Sequence, residues 1–563
     1  MNAAPSRTPL PVLTAAVGWA LAWVLVGLAQ LMLGSLTVKP YDEGLTLFGA
    51  SAVAHGRAPY VDFWTLYGPG SFYALAGINR LFGESVLVGR AFDACARAAI
   101  VLMVFALTRR RAGSAVASLA ALLAFAVLAG VREYLFPALP ATALALLSIA
   151  CAEFVLTRGT TGDGHWPARP RAWLWALPGF VVGLTTLFRH DFGLFAALAL
   201  ALPLVHDRAP GRAARGVAFV SGVLIAVGPA AAALLLRVPA ADVYDNLVRI
   251  PLEVYVAYRS LAFPSVVQAV GAALDMRSLA PLGVLLAFVP LGVAAVGVPL
   301  ALRARSRQRG DLAGAALSQR RVSESLLLLT VLLCVKGTIR FQLVHMLPAL
   351  IVSIVVLGRA WRPSMPRAVA RFGAAAVLFG LAGSAVVFAG RSGPRPDGGE
   401  QQPPALALAD WAKCRHGTTP RLGCFEIGPD RAAVLAWLRD HARPGDRLYV
   451  GAGRHDKLLI NNVELYFLSG LAPVTKWHDL HPGVQTSRLR QAAMIAEMTA
   501  HPPAFVVLNS QWDASSEPNR SSVSSGVVLL DEYLARRFVE VFRSGTFSVL
   551  VPRASPPLEP VSR

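Results

Sequence analysis

Before residue 390 the chain is built from repeated runs of Ala, Leu, Val, Gly and Phe, each close to the roughly 20 residues a helix needs to cross a bilayer. No other feature constrains the fold as strongly. A backbone in hydrocarbon must satisfy its own N–H and C=O groups, so each run reads as a helix. The length of 563 residues alone would suggest several soluble domains, but 55% apolar and 15% charged residues point to a polytopic α-helical membrane protein. The runs fall near 13–36, 85–108, 114–131, 136–156, 173–188, 192–206, 216–236, 279–302, 323–339, 343–358 and 372–390, about eleven transmembrane helices. The first run follows a short head with one arginine. Gln30 and the Lys39-Pro40 exit do not resemble a processing site, so it is expected to be a retained helix.

A formal net charge of +20 would suit a nucleic-acid partner, but the position of the charges argues otherwise. Arginines cluster at Arg109-Arg110-Arg111, at Arg169 and Arg171, at Arg208, Arg212 and Arg215, from Arg303 to Arg321, and from Arg359 to Arg371. These are alternate loops, as the positive-inside rule requires. The expectation is a multi-pass protein of the cytoplasmic (inner) membrane, with its N-terminus in the cytoplasm and its C-terminus outside. Two tight pairs, 173–206 and 323–358, turn at Phe188-Arg189-His190-Asp191 and at Lys336-Gly337-Thr338-Ile339-Arg340. Each reads either as two spans or as one re-entrant hairpin, and the parity is the same.

Residues 1–390 therefore read as the membrane body, with two long external loops at 37–84 and 237–278. In the first, Leu45, Phe48, Ala52 and Val53 recur at helical spacing before Gly56, the pattern of a helix lying along the interface. The second carries Tyr244, Tyr255, Tyr258, Arg249 and Arg259, and it reads as aromatics and arginines at headgroup depth. Residues 391–406 form a Pro/Gly-rich linker. Residues 407–563 change to a mixed pattern: helix-like at 432–442 and 486–500, strand-like at 447–450 and 505–508, and a terminal hairpin at 539–552. They are expected to form an extracytoplasmic α/β domain. Cys95, Cys151 and Cys334 lie within spans, where a thiol behaves as a small hydrophobe. Cys414 and Cys424 lie in the tail and can close a disulfide if the tail is outside; the alternative is a pair of buried thiols.

The acidic pair Asp42 and Glu43 stands where the chain leaves the first span, a costly place for charge without water, a cation or a substrate. The pair precedes an amphipathic stretch, then Gly56-x-x-Pro59-Tyr60-x-Asp62-Phe63, Tyr67-Gly68-Pro69, Leu81-Phe82-Gly83-Glu84-Ser85 and Gly89-Arg90. Over about 37–92 this resembles the first external loop of the GT-C membrane glycosyltransferases, in particular the protein O-mannosyltransferases and the aminoarabinose transferases that modify lipid A. The resemblance implies an enzyme that takes a sugar from a polyprenyl-phosphate carrier, with an aspartate of this loop as base. The chemistry agrees. A carboxylate can accept the proton of an attacking hydroxyl, and the leaving phosphate needs cations, ideally Arg. Asp42 is the expected base, with Glu43 orienting it or holding an acceptor group. The competing reading makes Asp42 a helix N-cap before Gly44-Leu45-Thr46-Leu47.

Other charges on the outer side complete the expected shell. Arg57, Arg189, Lys336 and Arg340 are candidate donor-phosphate ligands, against snorkelling to ordinary headgroups or, for Arg189, a turn-stabilising pair with Asp191. Glu133, His190, His345, Tyr60 and Asp62 are candidate acceptor or auxiliary residues, with Glu133 otherwise pairing with Arg132. Gly451-Ala452-Gly453-Arg454 lacks a full phosphate-loop pattern. His478, Asp479 and His481 read as a solvated loop and not a metal site. The expected function is an inverting glycosyltransferase moving a hexosyl or pentosyl group from a polyprenyl-phosphate donor to a lipid, glycan or protein acceptor at the cell envelope. The alternatives are a flippase of lipid-linked glycans or a non-enzymatic envelope-assembly protein. The expected partners are the lipid-linked sugar, its acceptor and membrane lipids, with no nucleic acid. No cofactor is required, since the lipid-linked sugar is a substrate; divalent metal is left open.

Overall fold

A computed structural model of the chain describes residues 10–158, 172–205, 211–261, 263, 280–307, 315–361, 411, 419–457 and 460–553. Up to residue 361 these are mostly helical. Among the described residues six helices are long and apolar enough to cross a membrane: Thr14–Met32, Val86–Gly130, Ala138–Thr157, Arg212–Leu235, Gly283–Ser306 and Leu343–Ala360. The apolar helices Ala172–Phe188 and His190–Leu204 are shorter, below the roughly 20 residues of a full crossing. The apolar run near 372–390 and the linker at 391–406 lie outside the described residues.

The runs expected at 85–108 and 114–131 form one element of 45 residues, interrupted at Gly113 (φ 83°). Straight, it would extend about 68 Å, more than twice a hydrocarbon core of about 30 Å. The left-handed backbone at Gly113, open to glycine without a Cβ penalty, breaks it just after Arg109-Arg110-Arg111. Leu21, Leu25, Val217, Leu224 and Ile225 face outward, as side chains do where the solvent is lipid. Ile100, Val104, Leu146, Phe192, Leu329 and Leu350 pack inward in one core. Charge buried between helices is paired: Arg359 Nη1 meets Glu153 Oε1 at 3.0 Å and Arg359 Nη2 meets Gln319 Oε1 at 2.6 Å.

After residue 419 a five-stranded sheet forms in the order β2-β1-β3-β5-β4, with β1 Arg447–Ala452, β2 Ala472–Pro473, β3 Phe505–Asn509, β4 Phe538–Ser544 and β5 Phe547–Pro552. β1 and β3 pair in parallel, Val450 opposite Val507, and both are buried apolar runs, as expected for central strands covered on both faces. β4 is an edge strand carrying Glu540 and Arg543, a charge pattern that discourages edge pairing. Helices Pro429–His441, Arg488–Ala500 and Leu529–Arg537 accompany the sheet. Cys424 is disulfide-bonded; its expected partner, Cys414, lies outside the described residues. Cys95, Cys151 and Cys334 are free.

The sheet and the first external loop share one apolar core, in which Leu45, Phe48, Phe63 and Phe72 meet Leu435, Val450, Phe467 and Val507. Backbone bonds reinforce the contact: Val38 N donates to Glu426 O at 2.8 Å, and Trp64 N to Lys476 O at 2.8 Å. The helix Asp42–Ala54 lies so close to the helix Glu464–Ser469 that a Cβ on Gly44 would stand 2.7 Å from the Glu464 nitrogen. The segment carrying the acidic pair is therefore fixed from the C-terminal side as well as from the first span.

Candidate active site

The two acids open the helix Asp42–Ala54, and their surroundings differ. Glu43 is fully buried. Its carboxylate takes Arg90 Nε, Arg90 Nη2 at 2.9 Å and the Lys39 backbone N–H at 2.8 Å. Arg90 also donates to the carbonyls of Ser35 (2.8 Å) and Thr37 (3.0 Å) and lies 3.3 Å from the centre of the Tyr134 ring. Glu43 is thus a satisfied ion-pair anchor, holding the exit of the first span to the helix Val86–Gly130.

Asp42 is partly accessible, and among the described residues the Tyr67 hydroxyl donates to its Oδ1. The helix start has no side-chain cap, since the N-cap position is Tyr41. Burial raises the Asp42 carboxyl above its usual range, while the Tyr67 hydrogen bond and then Arg189, Arg259 and Lys336 pull it back. Those cations come from three separate segments. Arg189 sits in the turn between the helices Ala176–Phe188 and His190–Val205, Lys336 in the last turn of Ala315–Thr338, and Arg259 within the second external loop, at the end of the helix Val256–Arg259. Close packing holds the first turn against the loop of Asp42, because a Cβ on Gly70 would stand 2.8 Å from the Leu187 carbonyl oxygen. Tyr67 is itself steadied by Tyr60, whose hydroxyl donates to the Tyr67 carbonyl at 2.8 Å.

Arg189 grips Asp191 with both prongs, at 2.9 and 2.7 Å, and shares the Phe192 ring with Lys336 Nζ. Arg340 is committed to Glu517 by two bonds, at 2.9 and 2.5 Å. Arg259 approaches the same Glu517 at 3.5 Å, and its Nε and Nη1 make no hydrogen bond. His345 stands among Lys336, Arg340, Arg189 and Arg259, and Nδ1 of His190 is buried without a partner. Arg57 has Asp62 and Arg447 as charged neighbours. Asp62 closes its own turn, accepting from the Ala58 N–H at 2.7 Å. The carbonyl of Glu133 is held by Arg97 at 2.6 Å. The structure thus gathers Asp42, Arg189, Lys336 and His345, places Arg340 at their edge, and uses Glu43, Tyr60 and Asp62 to build the loop.

Two expectations are corrected. Arg259 and Tyr255, read as headgroup residues, turn inward: Arg259 is buried, and Tyr255 has Arg259, Arg340, Asp42 and Arg189 as its charged neighbours. The solvated-loop reading of 478–481 also fails. His478, Asp479 and His481 are 1%, 3% and 1% exposed, because the first external loop packs over them, with the Phe48 ring 4.4 Å and the Phe63 ring 5.9 Å from that of His478. Burial and then the charge of Asp42 push the Asp479 carboxyl up to about 7. Among the described residues no group of three or more His, Cys, Asp or Glu side chains could hold a metal ion.

No family model matches the sequence, and no curated protein matches it. Solved structures do. ArnT from Cupriavidus metallidurans, crystallised bound to undecaprenyl phosphate, aligns with 98% of this chain and 99% of its own at a TM-score of 0.54 and 15% identity. Its apo state gives a TM-score of 0.55 at 15% identity, over 95% of this chain and 98% of that one. The likeness runs nearly end to end and is one of fold.

Proposed function

From the premise that this chain has the GT-C fold of ArnT, we propose that it is a membrane glycosyltransferase that moves a sugar from a polyprenyl-phosphate donor to an acceptor hydroxyl outside the cytoplasmic membrane. One observation carries the reading: a partly accessible carboxylate, Asp42, is faced by Arg189, Lys336 and Arg259 from three segments of the fold. A base beside convergent cations matches the two needs of the reaction. The acceptor oxygen attacks the anomeric carbon as Asp42 takes its proton, and the bond from that carbon to the phosphate oxygen breaks in the same step. The electron pair leaves with the lipid phosphate, whose charge meets the cations. A single displacement of this kind inverts the anomeric centre.

The under-bonded guanidinium of Arg259 and the ammonium of Lys336 are the better phosphate ligands, since Arg340 is already matched to Glu517. Arg189 contributes charge while Asp191 fixes its direction. The ArnT structure with undecaprenyl phosphate supports a lipid phosphate as the leaving group. The test is transfer from polyprenyl-phosphate glucose, mannose and arabinose by the purified full chain. The Asp42→Asn protein is expected to lose at least about 100-fold in rate with folding intact. Full activity in that variant would contradict the assignment, and a flippase would move the lipid without transferring its sugar.

A further inference from the structure

The buried segment 477–485 carries chemistry that the base and the phosphate cations leave unused. Among its side chains and those packed on it, Asp479 Oδ1, His481 Nε2, Gln485 Nε2 and Trp64 Nε1 are buried and make no hydrogen bond. Their residues are 3%, 1%, 1% and 1% exposed, so water does not satisfy these atoms from the surface. Buried polar atoms are almost always paired, and four orphans, one of them on His481 itself, need a reason. They are close together: Gln485 Oε1 accepts from the His481 backbone N–H at 2.8 Å, and the Trp64 and Tyr255 rings lie 6.2 and 5.6 Å from that of His481. Asp479 feels the charges of Asp42 and Arg259, so it shares the electrostatic environment of the proposed base.

The donor and acceptor sense of each atom identifies the ligand class. His481 Nδ1 lies 2.9 Å from the Pro482 carbonyl, which only accepts, so Nδ1 carries the proton and Nε2 is an acceptor. Burial and then Arg259 hold that ring neutral, lowering it to about 3. Asp479 Oδ1 also accepts, whereas Gln485 Nε2 and Trp64 Nε1 donate. A metal ion has no use for two N–H donors, and the ionised form of Asp479 would repel a phosphate. Sugar hydroxyls both donate and accept, and aromatic rings beside them suit the apolar C–H faces of a sugar ring.

We propose that Asp479, His481, Gln485 and Trp64 form a sugar-hydroxyl subsite adjoining Asp42, supplied by the C-terminal region and the first external loop together. The proposal rests on the transferase reading of Asp42. The sugar is that of the lipid donor or that of a glycan acceptor, and one experiment separates the two. The purified full chain in nanodiscs is titrated with undecaprenyl phosphate, with its glucose, mannose and arabinose esters, and with the free methyl glycosides in the presence of undecaprenyl phosphate. Asp479→Asn keeps the shape of the side chain. Gln485→Glu keeps an oxygen for the His481 N–H and puts an acidic oxygen where the donor stood.

Wild type is expected to bind at least one sugar ester about tenfold more tightly than undecaprenyl phosphate. Both variants should abolish that preference while undecaprenyl phosphate binds as before, which identifies a donor subsite. If the preference survives and a methyl glycoside weakens about tenfold instead, the subsite belongs to the acceptor. Unchanged sugar binding in both variants, or no sugar-dependent binding in wild type, overturns the subsite. Loss of undecaprenyl phosphate binding by wild type itself would instead remove the transferase reading, and the subsite with it.

A second readout separates a ligand site from a structural network. A carboxyl raised by burial contributes stability that is fully present below its usual pKa and lost as pH rises through about 7. Asp479→Asn should therefore melt no lower than wild type, with more gain at pH 8 than at pH 5. A clear fall in its melting temperature at pH 8 would assign Asp479 to structure.

Discussion

Two charge clusters meet at the start of the helix Asp42–Ala54, and adjacent residues belong to different ones. Behind Glu43, every strong group is matched. Arg90 spans Glu43 and two carbonyls, and Arg97 spans Asp93 and the carbonyls of Val131 (3.0 Å) and Glu133 (2.6 Å). Asp93 accepts in turn from the Leu135 N–H at 3.0 Å. In front of Asp42 the matching is incomplete: Arg259 is under-bonded, Asp479 carries a free oxygen, and Lys336 rests against the Phe192 ring. The first cluster fixes helices against one another. The second keeps bonding capacity for something the chain does not supply. A saturated cluster resists removal of one partner by loss of stability, whereas an unsaturated one responds by loss of function.

The largest expected effect tests the saturated side. Arg90→Met strands Glu43 in the interior and should cost about 3–5 kcal/mol, read as a large fall in the melting temperature of the detergent-purified protein. An unchanged melting curve would erase the distinction between the clusters. Next, Arg259→Ala and Lys336→Ala should each weaken undecaprenyl phosphate binding by roughly tenfold or more, the worth of a charge-assisted hydrogen bond, with little change in melting. Destabilisation without loss of binding would move those cations to the structural cluster.

Smaller effects sharpen the picture. The Tyr67 hydrogen bond favours the ionised form of Asp42, so Tyr67→Phe raises the Asp42 pKa. The acid limb of kcat/KM should then shift to higher pH; a shift to lower pH, or none, would mean that Asp42 is not the titrating base. Tyr60→Phe removes only the bond to the Tyr67 carbonyl. It should cost about 0.5–1.5 kcal/mol of stability and leave the pH profile in place.

The helices were legible in the sequence because lipid demands long apolar runs, and Asp42 stood out because charge at a span exit is costly. Choosing between Asp42 and Glu43 was not possible there. Glu43 is claimed by Arg90, 47 positions away on another helix, and no local pattern encodes that pairing. The segment at 478–481 misled for a related reason. Its composition is polar, yet Phe48, Phe63 and Trp64 from the far end of the chain bury it. Arg259 likewise read as a headgroup residue from the aromatics and arginines around it, and the packing of the second external loop buries it. What sequence missed was set by contacts between distant segments, which is also how the site is assembled.

If Asp42 does chemistry and Glu43 architecture, loss of charge at the two adjacent positions has opposite consequences. The most direct measurement compares Asp42→Asn with Glu43→Gln in one preparation, scoring sugar transfer from a polyprenyl-phosphate donor alongside thermal melting. Asp42→Asn should lose at least about 100-fold in transfer and melt like wild type, while Glu43→Gln should melt markedly lower. Full transfer by Asp42→Asn, or a Glu43→Gln protein that is stable but inactive, would contradict this division of roles.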